Sequence, residues 1–235
     1  MDEVNSKNEL KFGILLVNGT ADYKDKYWLE ISLAYIVKYL SGQNSCKIFI
    51  WNHNAQDQRL NTYIDSYGAL VEKLDENKFD MSTYDPEKMH LMPTPWNTFA
   101  GGYHVHRTPL QILYEYAVTK YKIDIIFTFD SDAFPVRPNW DIPLVYALDH
   151  GKKLAGIWRD ELIQVIGPYV HPSCLGVKVS TIREMNFRFD QIPVFPHQDS
   201  LSHFTSEIQK AWGEQSIFKL RRSNQKQFHP VFNGI

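Results

Sequence analysis

The sequence has few cysteines and no excess of charge of either sign. It contains two cysteines, Cys46 and Cys174, in 235 residues, which is too few for a disulfide framework or a cysteine-based zinc site. The formal net charge is −2, and this argues against broad electrostatic binding to nucleic acid, which needs a basic surface. The hydrophobic content of 43% is typical of a globular α/β protein.

Long apolar runs are absent as well. No stretch approaches the roughly 20 apolar residues that a membrane-spanning helix needs. Residues 1–8 are polar and lack the basic and apolar regions of a secretory signal peptide. We therefore expect a cytoplasmic protein with reduced cysteines, and any contact with a membrane would be peripheral.

Two common phosphate-binding motifs are also missing. There is no G-x-G-x-x-G after the first predicted strand and no G-x-x-x-x-G-K-[ST] anywhere in the chain. A dinucleotide-binding Rossmann site and a P-loop are therefore excluded.

The strongest positive signal is an apolar stretch that ends in two carboxylates. Residues 123–129 are rich in Ile and Phe, and Asp130 and Asp132 follow directly. Such a run predicts a buried strand, and two unpaired carboxylates at its end are costly unless a cation neutralises them. Hard cations prefer oxygen ligands and suit phosphate-bearing substrates. The pattern predicts a metal–diphosphate site, with an ordinary Asp-Ser-Asp turn as the alternative.

Two further predicted strands end in polar residues. Apolar runs at 12–17 and 47–51 enclose a helix-spaced pattern at 28–40, which predicts a right-handed β-α-β unit with parallel strands. The strands are followed by Asn18-Gly19-Thr20 and Asn52-His53-Asn54. With Asp130 and Asp132, these ends would line one crevice, where the first two can hydrogen-bond a base and a ribose.

The rest of the chain gives coarser expectations. Periodicity predicts a helix over 59–74, although Gly68 weakens it. Thr108-Pro109 has the features of a helix start, and His104 and His106 would share one face of a strand before it. Further elements are expected as strands at 153–158 and 174–179, a loop at 159–171, and helices at 142–148, 180–185 and 202–212.

Together these segments resemble the nucleotide-sugar-dependent glycosyltransferases of the GT-A fold, most of all those of the family 2 type. The resemblance covers residues 12–54, 106–132 with the DXD motif Asp130-Ser131-Asp132, and 171–190 with the ending Asn186-Phe187-Arg188-Phe189-Asp190. It implies an α/β fold with one mostly parallel, Rossmann-like central sheet flanked by helices. It also implies a single domain over 1–235, with a nucleotide-sugar-binding half to about residue 132 and an acceptor-binding half after it.

The resemblance assigns roles to particular residues. Asp132 would bind Mn²⁺ or Mg²⁺ directly, Asp130 would contact the ribose or the metal shell, and His229 would be a third metal ligand. Arg107 would approach the diphosphate, unless it is a solvated charge at the helix entry, and His171 would touch sugar or acceptor. The residues expected to border the nucleotide are Asn18, Gly19, Thr20, Asn52 and Asn54.

The implied reaction moves a hexose from a nucleotide-diphosphate sugar, UDP-sugar first, to a hydroxyl of a glycan, lipid-linked glycan or small molecule. The catalytic base is expected at Glu214, with Asp199 as the second candidate. Glu214 has an alternative interpretation as a surface acid at a helix end. Three other functions remain open: a sugar-nucleotide nucleotidyltransferase, a haloacid-dehalogenase-like phosphatase, and a non-catalytic carbohydrate-binding protein on the same fold.

Overall fold

A computed structural model of the protein describes residues 12–18, 28–42, 45–75, 97–160, 167–190 and 201–220, with side chains in the helix that starts at Asn97 described from His106 onward. The strands are β1 Phe12–Asn18, β2 Cys46–Asn52, β3 Val71–Leu74, β4 Ile125–Asp130, β5 Leu154–Arg159, β6 Tyr169–Lys178 and β7 Ile217–Leu220. The helices are α1 Trp28–Tyr39, α2 Gln58–Asp65, α3 Asn97–Tyr121, α4 Asp141–Asp149, α5 Val179–Glu184 and α6 Ser202–Trp212.

The described strands form one seven-stranded sheet in the order β3-β2-β1-β4-β6-β5-β7. Every neighbouring pair is parallel except the two that involve β6, which runs antiparallel to β4 and β5. The predicted α/β fold with a mostly parallel central sheet is therefore confirmed. The parallel strands end at one edge of the sheet, which we call the carboxyl edge and define by Asn18, Asn52 and Asp130, the last residues of β1, β2 and β4.

Helices cover both faces of the sheet because the central strands are apolar on both sides. Successive strand residues point to opposite faces, and β1 is buried along its whole length. Ile14 and Leu16 pack with α1, α2 and α4 in one core, whereas Leu15 and Val17 pack with α3, α5 and α6 in the other. No described helix is both long and apolar enough to cross a membrane.

The helix predicted over 59–74 is shorter than expected. Helix α2 ends at Asp65, and Val71–Leu74 forms the edge strand β3. Gly68 lies between them with a φ of 56°, a left-handed conformation that glycine adopts without steric cost. The apolar spacing of the helix continued past this break, so the periodicity alone missed the change of structure.

Helix α3 begins earlier than predicted. It starts at Asn97 and contains Pro109 inside its length, so Thr108-Pro109 is not its first turn. Proline lacks an N–H, and the helix loses one backbone hydrogen bond at this point. His106 consequently lies on a helix, and the expectation that His104 and His106 share the face of a strand was wrong.

The second half of the sheet contains more strand than expected. Strand β6 begins at Tyr169 inside the predicted loop, and β7 at Ile217 was not predicted. Pro172 lies within β6, although proline cannot donate to a strand ladder. Its carbonyl instead accepts a hydrogen bond of 2.7 Å from the buried hydroxyl of Thr128 on β4.

A glycine allows β5 and β6 to approach each other closely. Gly156 has a φ of 153°, and a Cβ atom there would lie 2.1 Å from the carbonyl oxygen of Cys174. The register between the two strands shifts between Gly156 and Trp158. Beyond this shift, Arg159 pairs with Tyr169 at the carboxyl edge.

Candidate active site

Asp130 and Asp132 lie at the carboxyl edge, next to the middle of the sheet. Strand β4 ends at Asp130, and the backbone N–H of Ala133 donates to the Asp130 carbonyl at 3.0 Å to form a turn. The hydroxyl of Ser32 on α1 donates to the Ala133 carbonyl at 2.5 Å, which fixes this turn to the helix layer. The Asp130 side chain is 26% exposed, and Asp132 is a more exposed residue at the surface.

Two histidines flank the Asp130 carboxylate, one near each oxygen. His106 Nε2 on α3 lies 3.4 Å from Oδ1, and His171 Nδ1 on β6 lies 3.8 Å from Oδ2. The Nε2 atom of His106 is buried and makes no hydrogen bond of good geometry among the described residues. The site therefore combines residues from α3, β4 and β6, which lie far apart in sequence.

Neighbouring bonds determine the tautomer of His171. The backbone N–H of Ser173 donates to His171 Nδ1 at 3.1 Å, and the Ser173 hydroxyl lies 2.7 Å from the same atom. Because Nδ1 accepts a hydrogen bond, the proton of the neutral ring is on Nε2. His171 thus faces Asp130 without donating to it through Nδ1.

The electrostatics of the site raise the pKa of Asp132. Partial removal from water is the largest influence, and the nearby negative charge of Asp130 adds to it. A backbone hydrogen bond and the imidazoles of His171 and His106 act in the opposite direction but do not outweigh them. Because Asp132 is accessible to solvent, screening limits the size of this shift.

The donor atoms fit a divalent cation that brings further ligands of its own. Two carboxylates supply hard oxygen ligands, and their mutual repulsion, seen in the raised pKa of Asp132, would be relieved by a cation. Among the described residues, no group of three or more His, Cys, Asp and Glu side chains is arranged to bind a metal by itself. Mg²⁺ is commonly bound by one or two carboxylates together with substrate phosphates, and Asp130 and Asp132 match that mode.

The polar ends of β1 and β2 lie side by side at the same edge. Asn18 and Asn52 are partners in the β1–β2 register, and both are buried, at 5% and 1% exposed. Asn18 Nδ2 donates to Asn52 Oδ1 at 2.8 Å. Val17 is the register partner of Asp130, so the asparagines and the aspartates lie on adjacent strands.

Arg107 follows His106 on α3 and is buried, with 4% exposed. It is therefore not the solvated charge that was the alternative interpretation. Helix α3 packs on β1 and β2, and its turn at His106 approaches the end of β4. Arg107 is thus a buried cation on the helix that carries His106.

Glu214 lies at the opposite end of the sheet. It belongs to a short 3₁₀ turn just before β7, and the first residue of β7 pairs with the first residue of β5, Leu154. A six-residue strand spans roughly 17–20 Å, so Glu214 is separated from Asp130 by about the length of β4. Its exposed carboxylate accepts from Lys219. The structure does not bring Glu214 together with Asp130 and Asp132, and this placement matches the surface-acid alternative.

Four predicted site residues lie outside the described residues. These are Gly19, Thr20, Asp199 and His229. Of the others, the structure brings Asn18, Asn52, Asp130, Asp132 and His171 to the carboxyl edge, and Asn54 to the turn that follows β2.

Sequence reasoning missed two residues at this edge. His106 was placed on a strand, and only the helix through Pro109 turns it towards Asp130. Asn61 was treated as an ordinary helix residue, yet its Oδ1 accepts from Asn52 Nδ2 at 3.1 Å. A local signal existed for α2, since Asp57 caps it by accepting from the Leu60 N–H at 3.1 Å. The helix predicted from residue 59 already placed Asn61 in its first turn, but the contact with Asn52 depends on how α2 lies against β2.

The fold is shared with solved structures at very low sequence identity. A mannosyltransferase, PcManGT from Pyrobaculum calidifontis in complex with GDP-Man and Mn²⁺, matches with a TM-score of 0.53 and 9% identity over 94% of this chain and 59% of that one. GalNAc-T7 with UDP, GalNAc and Mn²⁺ matches with a TM-score of 0.53 and 11% identity over 88% and 42%. The 4-diphosphocytidyl-2C-methyl-D-erythritol synthase from Anaerococcus prevotii matches with a TM-score of 0.50 and 9% identity over 91% and 88%.

These matches concern the fold alone. The chain spans about half the length of the two glycosyltransferase structures. No protein-family model and no curated protein matches the sequence. On the structural likeness, the chain has a GT-A-like fold.

Proposed function

We propose that the protein is a metal-dependent glycosyltransferase. It would transfer a hexose from a nucleotide-diphosphate sugar, UDP-sugar first, to a hydroxyl group of a glycan, a lipid-linked glycan or a small molecule. The observation that carries the proposal is the position of Asp130 and Asp132 at the carboxyl end of β4, beside the asparagine-lined ends of β1 and β2. In open α/β sheets, ligands bind outside the carboxyl ends of the strands.

The proposal gives each charged group a task. Asp132, which is accessible, would hold Mn²⁺ or Mg²⁺, and Asp130 would contribute to the metal shell or contact the ribose. The bound cation would neutralise charge on the departing diphosphate. Arg107 would supply a buried positive charge on the α3 side, and His171 would contact the sugar or the acceptor from β6.

The ligands bound in two solved structures of the same fold support this assignment. PcManGT was solved with GDP-Man and Mn²⁺, and GalNAc-T7 with UDP, GalNAc and Mn²⁺. Both share the fold of this chain. In this chain, Asp130 is the last residue of β4 and Asp132 follows it. The proposed base is Asp199, because Glu214 lies at the other end of the sheet.

The test is turnover of a panel of UDP-, GDP- and CDP-sugars, with and without Mn²⁺. We expect release of one nucleoside diphosphate to depend on the metal and to be lost in Asp132→Ala. Asp149→Ala is the matched control, because Asp149 is an exposed aspartate on α4 that pairs with Lys178 at 3.1 Å. Turnover that survives in Asp132→Ala contradicts the proposed site.

A nucleotidyltransferase is the second candidate, and one observation favours it. The chain covers 88% of the diphosphocytidyl-compound synthase but 59% and 42% of the two glycosyltransferases. Against it, residues 18–22 read Asn-Gly-Thr-Ala-Asp and lack the Gly-rich loop with Arg or Lys that such enzymes carry after the first strand. Pyrophosphate release from a nucleoside triphosphate and a sugar phosphate would identify this activity.

A non-catalytic carbohydrate-binding protein is the third candidate. Sugar binding with no turnover of any donor, in the presence of Mn²⁺, would identify it. If no nucleoside diphosphate binds even with Mn²⁺, both enzymatic proposals fail together.

A further inference from the structure

A continuous chain of side-chain amides closes the carboxyl ends of β1 and β2. Asn18 Nδ2 donates to Asn52 Oδ1 at 2.8 Å, and Asn52 Nδ2 donates to Asn61 Oδ1 at 3.1 Å. Asn61 Nδ2 in turn donates to the Ala55 carbonyl at 2.7 Å. The backbone N–H of Asn54 also donates to Asn52 Oδ1, at 3.0 Å.

Backbone groups fix the orientation of every amide in this chain. The Asn54 N–H can only donate, so it requires the oxygen of Asn52 on its side. The Ala55 carbonyl can only accept, so it requires the nitrogen of Asn61. Because both ends of the chain of amides are fixed, Asn52 presents its acceptor Oδ1 to Asn18, and Asn18 donates to it through Nδ2.

The two buried asparagines therefore differ in the hydrogen-bond donors and acceptors that remain available to a ligand. Asn52 uses both acceptor positions of Oδ1 and one N–H within the protein. Asn18 uses one N–H, and its Oδ1 accepts no hydrogen bond from the other described residues. Both residues are buried, and because both acceptor positions of Asn52 Oδ1 are already occupied, Asn18 Oδ1 is the amide acceptor that remains for a ligand at this edge.

We propose that Asn18 hydrogen-bonds the base of the bound nucleotide through Oδ1, and that Asn52 and Asn61 are positioning residues that hold the Asn18 amide in that orientation. The proposal rests on the proposed function, which places a nucleotide in the crevice beside Asp130. It therefore assigns the contact with the base to the side chain at the end of β1, rather than to the side chain at the end of β2.

The fixed orientation also selects a class of base. An acceptor oxygen that faces the ring nitrogen of the base needs an N–H at that position. Uracil offers N3–H and guanine offers N1–H, whereas cytosine placed in the same way has a lone pair at N3 and carries its donor on the exocyclic N4 amino group. An unmatched pair of this kind costs a hydrogen bond, so the site should favour uridine or guanosine diphosphates over cytidine diphosphate.

The test measures binding of UDP, GDP, CDP and inorganic pyrophosphate to the whole chain in the presence of Mn²⁺. Pyrophosphate carries the diphosphate but no base, so it reports the metal side of the site alone. We expect UDP or GDP to bind at least 10-fold more tightly than CDP, since one hydrogen bond of about 1.4 kcal/mol corresponds to tenfold. Asn18→Ala should weaken the preferred nucleotide about 10-fold and leave pyrophosphate binding within twofold.

Variants at Asn61 keep the proposal testable if a buried asparagine cannot be replaced without loss of folding. Asn61→Asp retains an acceptor for Asn52 Nδ2 but loses the donor to the Ala55 carbonyl, whereas Asn61→Leu removes both. We expect Asn61→Leu to weaken nucleotide binding 3- to 10-fold and Asn61→Asp to keep most of it, with pyrophosphate unchanged in both. In the Asn18→Ala background, the effect of Asn61→Leu should vanish, because Asn61 acts through Asn18.

The outcomes separate the two proposals. Normal nucleotide binding by Asn18→Ala, or a preference for CDP, overturns the role of Asn18 and leaves the proposed function standing. Loss of nucleotide and pyrophosphate together in a folded Asn61→Leu variant shows a structural role only and also overturns it. If the unaltered protein binds neither pyrophosphate nor any nucleotide with Mn²⁺, the proposed function fails and this inference with it.

Discussion

Helix α3 passes two carboxylate sites, and their environments are opposite. Near the middle of the helix, His106 approaches Asp130, and the pKa of Asp132 beside it is raised by partial burial and by the Asp130 charge. Near its end, Glu72 on β3 accepts from Tyr116 at 2.7 Å, Tyr121 at 2.6 Å and Lys120 at 3.0 Å. Burial alone would raise the pKa of Glu72, but these bonds outweigh it and lower the pKa to about 2.

The difference separates a carboxylate that stabilises the fold from a pair that does not. At Glu72 every nearby donor points to the charge, so the ionised form is favoured in the folded state. At Asp132, partial burial and the neighbouring charge of Asp130 outweigh the groups that favour the ionised form. Strain of this electrostatic kind concentrates at functional sites.

The largest expected effect is on turnover. Asp132→Ala should lower metal-dependent donor turnover by about 10²-fold or more, because charge stabilisation in the reaction is lost. The same variant should unfold at the same urea concentration as the unaltered protein, or a higher one, since it removes a repulsive charge. Steady-state kinetics measure the turnover, and urea denaturation measures the stability. A large loss of stability in Asp132→Ala would show that this carboxylate stabilises the fold as Glu72 does.

Added Mn²⁺ should stabilise the protein through the Asp130–Asp132 site and not through Glu72. At a Mn²⁺ concentration 100-fold above its dissociation constant, the expected gain is about 2.7 kcal/mol. Thermal unfolding with increasing Mn²⁺, in the presence of UDP, measures this as a rise in Tm. The rise should persist in Glu72→Gln and disappear in Asp132→Ala. An equal rise in both variants would place the metal elsewhere.

Removal of the Glu72 charge should destabilise the protein. Glu72→Gln replaces a charged acceptor of three side-chain hydrogen bonds, and we expect the free energy of unfolding to fall by about 1–2 kcal/mol at pH 7 after allowance for screening. Urea denaturation measures the change. Glu184→Gln is the matched control, because Glu184 forms an exposed pair with Lys153 at 3.0 Å, and its loss should change stability by less than about 0.5 kcal/mol.

The same carboxylate predicts a pH dependence. The folded pKa of Glu72 is about 2 and its ordinary value is 4.5, so its contribution to stability is present above pH 4.5 and is lost as the pH falls towards 2. The stability difference between the unaltered protein and Glu72→Gln should therefore shrink over that interval. Urea midpoints measured from pH 5 to pH 3 would show it. A constant difference would mean that Glu72 acts through packing rather than charge.

The sequence predicted the first part of the fold well because short-range patterns determine it. Apolar runs and helical spacing located β1, α1, β2 and β4, and the two aspartates marked the end of β4. The reversal of β6 was not predictable, since its apolar pattern is the same in either direction. The position of Glu214 was inferred from its distance along the chain, and only the pairing of β7 with β5 reveals that it lies at the far end.

Side-chain networks were beyond sequence reasoning for a related reason. Asn18, Asn52 and Asn61 were each visible as polar residues, but their hydrogen bonds depend on the β1–β2 register and on where α2 begins. Likewise, His106 reaches Asp130 because α3 continues through Pro109. Such contacts join distant segments, and their geometry is set only when the sheet is assembled.

The reversed strand β6 has a consequence for how this protein can change. Because β5 runs towards the carboxyl edge and β6 runs away from it, the connection between Arg159 and Tyr169 starts and finishes beside the candidate site. The register of β5 and β6 is set by their pairing with each other and with β4 and β7. Asp130, Asn18 and Asn52 lie on β4, β1 and β2, whose mutual register does not involve this connection. Variation on the His171 side of the crevice can therefore leave the other side unchanged.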